Sequence, residues 1–440
     1  MSIVDNLRVC MNILLHAEGA KTIERARAQE SQTSMTHAPS TQNPTSASDV
    51  QPLSFVVRQR LRTRLVEQAL RDDPHLDGIL LLSHANVVWA SGFDHSPSER
   101  PVGLYVPAEG QPTLFVPTLE IEHAEGVEGV EVLSYFEFPG TEHPVLWMHR
   151  QIMQRQERPT RIAVDQLDVS VMHQLHTQGA DLVLSQAPSL VRGVKEPEEL
   201  ALIRAAAHYA DACLTWILHH GGELIRSGAN ELTVLKGGVD HARAALDADL
   251  GHLFAVSQLH VVGTLHSGPR AALPHGRTST RLPQAGEPVI AGIGAKVGGY
   301  HAESGATFAV SHLTKETEHC LAAADACRLA AIQATRVGAT CVSVHEAAMA
   351  ELEAAGLSEH IRHRIGHGMG VEGHEAPWLA PGDTTRLEAN MVFSNEPGIY
   401  RPEVDGYRTI DSMIVTDSDA EIPSRFQSTV PWHERILRTN

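Results

Sequence analysis

The sequence predicts an α+β protein in which a smaller α/β domain precedes a larger one built from paired helices and antiparallel strands. Three observations carry that expectation. Short strand-like runs alternate with helix-like runs early in the chain. Long amphipathic helices then come in pairs, each pair followed by strands. The last third holds glycine-punctuated strands and loops without a long helix. A chain of 440 residues exceeds one ordinary core, and its 42% hydrophobic content suffices for a sizeable interior.

Residues 1–52 are assigned to a disordered tail, because "ESQTSMTHAPSTQNPTSASDVQP" cannot offset its ordering entropy by burial. "CMNILLHA" is short for a secretory core and follows Asp5 and Arg8, which argues against a signal peptide. The α/β domain is expected over 53–190. "FVVRQRLRTRLVEQAL" has helical periodicity, while "GILLL", "NVVWASGF", "GLYVP" and "PTLFVP" read as strands. "RIAVD" and "DLVLS" are further strands around the helix-like "VSVMHQLHTQG". The second domain, expected over 191–430, opens at "VKEPEELALIRAAAHYADACLTWILHH", with Pro197 and acids in the first turn of a helix. A helix near 230–247, the strand "FAVSQLHVVGTL", a hairpin over 289–310 and helices near 314–336 and 343–355 follow.

Lys and Arg total 35 against 53 Asp and Glu, a formal net charge of −18. Phosphate backbones and anionic lipids call for basic faces, so neither nucleic acid nor membrane is an expected partner. No apolar run is long enough to predict a membrane-spanning helix. Cys10, Cys213, Cys320, Cys327 and Cys341 fit no zinc spacing and read as core thiols in a reducing, cytoplasmic protein.

The hairpin "VIAGIGAKVGGYHAESGATFAV" raises a question of chemistry. With its turn at Val297-Gly298 or Gly298-Gly299, His301 and Glu303 share one face, and Gly292 or Gly294 lies across from Glu303. Alone, this fits either a solvated face or a site. "HRIGHGMGVEGHEAP" adds His363, His367 and His374 among glycines; clustered imidazoles serve as metal ligands or proton carriers. "SNEPGIY" sets Glu396 in an apolar strand, where a carboxylate without a partner is costly unless the strand edge faces water. "PHG" places His275 at a turn.

With these residues the chain resembles the pita-bread-fold enzymes: methionine aminopeptidase, aminopeptidase P, prolidase and creatinase. "KEPEELALIRAA", "SGPRAALPHG", "GHGMGVEGHEAP" and "EPGIYRPEVDGYR" are similar to the prolidase/aminopeptidase P branch. The resemblance implies a C-terminal pita-bread domain after a creatinase-type N-terminal domain. Peptidases of that family hold two metal ions with Asp, Asp, His, Glu and Glu. The first Asp falls on Gly292 and the last Glu on Ile410, so both carboxylates are absent. The second Asp falls on the longer Glu303, the His on His367 and the first Glu on Glu396. Two divalent ions would then repel with too little compensation, so a dinuclear site is not expected. Glu303, His367 and Glu396 suit one ion, zinc, manganese or iron, with a metal-free site as the alternative. Gly292→Asp with Ile410→Glu is expected to raise metal occupancy. Asp411 points to the other face of its strand unless a bulge re-aims it. His301 either joins a metal or hydrogen-bonds in the cleft wall.

The resemblance further implies that His275, His374 and Glu396 are catalytic and that His363, Arg408 and Tyr400 bind substrate. It implies a homodimer, and "PWLAPG" as either a cleft rim or an ordinary turn. His275 matches creatinase's acid/base histidine, but Gly305 stands where creatinase has a second binding glutamate. Ala306 stands where the family's peptidases usually carry Arg. The expected function is an Xaa-Pro peptidase-like hydrolase of a small peptide or amide, using at most one metal. The alternatives are an inactive pseudo-peptidase that binds a partner and a metal-free creatinase-like C–N hydrolase. Metal content separates the first from the others, and turnover with and without chelator separates the remaining two.

Overall fold

The computed structural model describes residues 50–155 and 160–439, so Cys10 and nearly all of the expected tail lie outside it. Val50 and Leu53 already belong to the core. Helix α1 (Phe55–Asp72) starts where Ser54 accepts from Val57 N, and it buries Val57, Leu61, Leu65 and Ala69 along one face. Then come β1 (Gly78–Leu81), α2 (His84–Ser91), β2 (Gly103–Pro107), β3 (Thr113–Pro117), the short α3 (Ile121–Ala124), β4 (Glu131–Tyr135), α4 (Pro144–Gln154), β5 (Arg161–Val164), α5 (Val169–Thr177), β6 (Asp181–Leu184) and α6 (Ala187–Gly193). They form a six-stranded sheet ordered β4-β3-β2-β1-β5-β6.

The run "NVVWASGF", expected as a strand, is instead helix α2. A short apolar run does not distinguish a strand from a buried helix. Here the ends decide. The Asp165 carboxylate accepts from Leu82 N (2.7 Å), Ser83 N (3.1 Å) and Asn86 Nδ2 (2.8 Å), and Gly92 stops the helix at φ 82°.

The division expected at residue 190 falls inside α6. Helix α7 (Pro197–Arg226) begins with Pro197 and a reciprocal Glu196–Glu199 capping box. Helix α8 (Glu231–Leu250) precedes β7 (His260–Ser267), which starts later than expected, after a 3-10 turn at Val256–Gln258. The hairpin is β8 (Pro288–Val297) and β9 (Tyr300–Val310). Its turn is Gly298-Gly299 at φ 59° and 90°, backbone that glycine adopts without a Cβ clash. Helices α9 (Lys315–Ala334) and α10 (Cys341–Ala354) lead to β10 (Gly366–Gly368), β11 (Glu375–Leu379), β12 (Val392–Asn395), β13 (Gly398–Arg401), β14 (Asp405–Arg408), β15 (Asp411–Val415) and β16 (Ala420–Glu421). The short α11 (Phe426–Thr429) and β17 (Ile436–Leu437) end the described chain.

Two sheets face the site, ordered β17-β9-β8-β7 and β11-β10-β12-β15-β16. A backbone bridge between Gly305 and Ile410 ties them together. One apolar core runs from α1, β1 and α2 through α7, β8 and β9, and a second joins α9 and α10 to β12 and β15. Cys213, Cys320, Cys327 and Cys341 are free and buried, and burial pushes each thiol up to about 12. Among the described residues no helix is long and apolar enough to cross a membrane.

Candidate active site

The hairpin register pairs Gly292 with Gly305, Gly294 with Glu303 and Lys296 with His301. Glu303 therefore projects from the middle of β9. Its backbone N donates to Ser412 Oγ at 3.0 Å, and Ser394 Oγ donates to Glu303 Oε2 at 3.0 Å. Burial raises the Glu303 carboxyl, while the Ser394 bond, His374 and Arg408 oppose the rise.

His367 sits in β10 between β11 and β12 and is fully buried. Its Nδ1 lies 3.0 Å from Gly368 O. A carbonyl only accepts, so Nδ1 carries the proton and Nε2 keeps its lone pair. That Nε2 has no hydrogen-bond partner, lying 3.5 Å from Glu396 Oε1 and 3.8 Å from Glu303 Oε2. Burial holds the His367 ring below its ordinary pKa, so it is neutral, with Glu396 opposing the shift. The His374 ring stacks on it at 3.8 Å and 20°, reaching in from the exposed side. One ligand atom each from Glu303, His367 and His374 lies within 4.8 Å of the other two. Burial raises Glu396 as well, with His367 opposing and Glu303 adding to the shift.

Gly292, Glu303, His374, Glu396, Arg408 and His275 line one cavity of about 380 Å³. His363 and Tyr400, expected to bind substrate, are not in its lining. His363 Nδ1 bonds Arg364 O at 2.7 Å, so its Nε2 accepts from Tyr400 OH at 2.9 Å, and Tyr400 is buried beside Ala271 and Ile290. Burial pulls His363 down to about 4. His301 stands apart from the Glu303–His367–His374 group: its Nδ1 is 3.2 Å from Gly370 O and pins that loop. Asp411 points away, pairing with Arg328 Nη1 at 2.8 Å with no bulge between β12 and β15.

Gly294, directly across from Glu303, has open room where a Cβ would meet only Val262 Cγ2 at 3.8 Å, whereas Gly292, across from Gly305, does not. A side chain on Gly292 would meet Arg408 Nη2 at 2.7 Å and Ile410 Cδ1 at 3.4 Å. One on Gly305 would meet Ile410 Cδ1 at 2.6 Å. Ile410 and the Arg408 guanidinium fill the room.

Sequence reasoning also missed the support of the His374 loop. Glu375 is buried and receives Lys195 Nζ at 2.9 Å together with Arg192, which also reaches Glu372 at 2.7 Å and Asn86 at 2.7 Å. Burial alone would raise Glu375, but Lys195 and Arg192 hold it below its ordinary value. The available signal was Arg192 and Lys195 beside an apolar helix start: buried cations require a buried acid.

Residues 201–417 match the family described as metallopeptidase family M24, and residues 58–194 match the creatinase/prolidase N-terminal domain. The putative dipeptidase YkvY of Bacillus subtilis (strain 168) is 28% identical over 341 residues, covering 76% of this chain and 90% of that protein. Dipeptidase PepE from Mycobacterium ulcerans shares the fold with a TM-score of 0.72 at 24% identity, over 88% of this chain and 99% of that one. Prolidase from Thermococcus sibiricus does so with a TM-score of 0.71 at 24% identity, over 84% and 98%. With the two-domain fold and the histidine–carboxylate cavity, these matches show that the chain belongs to the pita-bread, M24 metallopeptidase family of peptidase-like hydrolases, with a creatinase/prolidase-type N-terminal domain.

Proposed function

We propose that this protein is a one-metal hydrolase of small peptides or amides, with Xaa-Pro dipeptides as the first substrate class to test. One observation carries the proposal: the buried, unpartnered Nε2 lone pair of His367, aimed between two carboxylates. An unpaired buried acceptor is costly, and a cation at that point would satisfy it together with both acids. Glu303, His367 and Glu396 would hold the ion, with His374 within reach. A divalent ion bound there supplies Lewis acidity toward the amide carbonyl and toward water.

The chain's own groups do the rest. Glu396, on the cavity wall, takes a proton from the attacking water as the new C–O bond forms. His374 stands on the open side, where it can relay that proton from Glu396 to the departing nitrogen as the C–N bond breaks. His275 faces the same cavity and orients the substrate. His363 and Tyr400 act from behind the lining, holding the wall rather than touching substrate. A cytoplasmic homodimer belongs to the same proposal; light scattering of a purified monomer at all concentrations would count against it.

Elemental analysis of protein purified without added metal or chelator tests the metal, with about one ion per chain expected. Gly-Pro turnover tests the reaction, with loss on chelation and recovery on adding manganese. Turnover that survives chelation would instead favour the metal-free hydrolase. Absence of both metal and turnover would favour a binding protein.

A further inference from the structure

His275 reaches the cavity from a loop that lies outside every helix and strand, just after the 3-10 turn Gly268–Ala272. Side chains from outside that loop take three of its carbonyls. Arg408 Nη1 donates to Pro274 O at 3.3 Å, His266 Nε2 lies 2.6 Å from Gly276 O, and Arg270 Nη2 donates to Arg277 O. The first two flank His275 directly. His266 belongs to β7 and is 1% exposed. A carbonyl only accepts, so the proton sits on Nε2. Burial holds the ring below its ordinary pKa, with the Gly276 bond opposing the shift, so the ring is neutral and its single N–H is committed to the loop. The glycine of "PHG" makes room for this contact. A Cβ on Gly276 would lie 3.3 Å from His266 Nε2 and 2.9 Å from Leu273 Cβ. Gly276 N in turn donates to Leu273 O at 3.1 Å, which closes the loop on itself.

We propose that His266 is a positioning residue for the reaction: through the Gly276 carbonyl it holds His275 against the cavity, so that the His275 imidazole meets the bound substrate in one orientation. This rests on the hydrolase reading above, in which His275 orients the substrate. His266 touches no substrate itself. It is absent from the cavity lining, whereas its β7 neighbour Thr264 belongs to it. Moving Gly276 away would leave a buried N–H without its acceptor, so the anchor resists displacement of the loop. A misplacement of about 1 Å in an orienting group can cost about 100-fold in rate, which gives a remote hydrogen bond leverage over the chemistry.

The test uses the full-length protein with manganese and Gly-Pro. His266→Leu removes the donor, and His266→Gln keeps an N–H near the place of the ring Nε2. His266→Leu should lower kcat about 10–100-fold, and His266→Gln should recover most of the loss. In a His275→Ala background, His266→Leu should lower kcat by less than about twofold more, because the group it positions is gone. Equal losses in both backgrounds, or a His266→Gln variant as poor as His266→Leu, overturn the proposal. His266→Phe replaces His266→Leu if thermal melting shows that the latter does not fold. Deuterium exchange of the amides over 273–278, read by mass spectrometry, should be at least about threefold faster in His266→Leu and parent-like in His266→Gln. Unchanged exchange in His266→Leu overturns the anchor. A parent that turns over no Gly-Pro sinks the hydrolase reading, and the exchange measurement then decides whether His266 holds the loop.

Discussion

The His367 ring shows how one hydrogen bond fixes a residue's chemistry. Because Nδ1 is committed to Gly368 O, Nε2 is left as a lone pair in a pocket with two acids. Ser394 tunes that pocket by donating to Glu303 Oε2. Ser394→Ala should therefore weaken manganese binding about tenfold, read by titration calorimetry; unchanged affinity would mean that Glu303 is not a ligand. Asp211 illustrates a second residue-scale effect. Burial pushes its carboxyl up from 3.8 to about 7, with bonds to Ser304 and to the Arg425 and Phe426 backbone opposing the rise. The folded chain binds this proton more tightly than the unfolded one. Its stabilising contribution is thus complete below pH 3.8 and is lost as pH rises toward about 7. Asp211→Asn should flatten the melting temperature across that window and raise it at pH 8 relative to the parent. A parallel pH profile in the variant would contradict the assignment.

At the scale of elements, the hairpin turn makes a clean comparison. Gly299 has φ 90° with open space around its missing Cβ, whereas a Cβ on Gly298 (φ 59°) would meet Phe254 at 2.8 Å and Leu202 at 3.1 Å. Gly299→Ala should cost about 1–2 kcal/mol from backbone strain alone. Gly298→Ala should cost more, because packed apolar side chains must move. Urea unfolding of both variants decides it, and equal losses would mean that the packing contacts do not matter. The loop carrying His374 depends on the Arg192–Glu375–Lys195 cluster. Lys195→Met should destabilise by about 3 kcal/mol, since it leaves a buried acid short of a partner. It should also lower kcat more than it changes KM.

For the whole molecule, one apolar core spans both sheet regions, beside cores that belong to one region each. Trp89 Nε1 and Tyr300 OH both donate to the buried Glu199, at 3.2 and 2.6 Å, linking α2, α7 and β9. Arg64 pairs with Glu196 at 2.7 Å across the same junction. The apolar core runs through both regions without a break. Calorimetry should therefore show one unfolding transition for residues 50 onward; two well-separated peaks would show that the regions fold independently.

The sequence by itself determined the helix pairs and a hairpin turning within residues 297–299. Those features follow from local periodicity and turn chemistry, which are written in neighbouring residues; the resemblance, not spacing, implied the roles of Glu303, His367 and Glu396 and the carboxylates missing at Gly292 and Ile410. The sequence misread "NVVWASGF", because the decision lay with an aspartate at position 165, far along the chain. The resemblance marked Gly292 as vacated and left open what stands there. Only the tertiary structure placed Arg408, from a strand more than a hundred residues away, in that room. It also withdrew Tyr400 and His363 from the cavity wall. Close approach between distant strands is set by packing, and packing is a property of the folded whole.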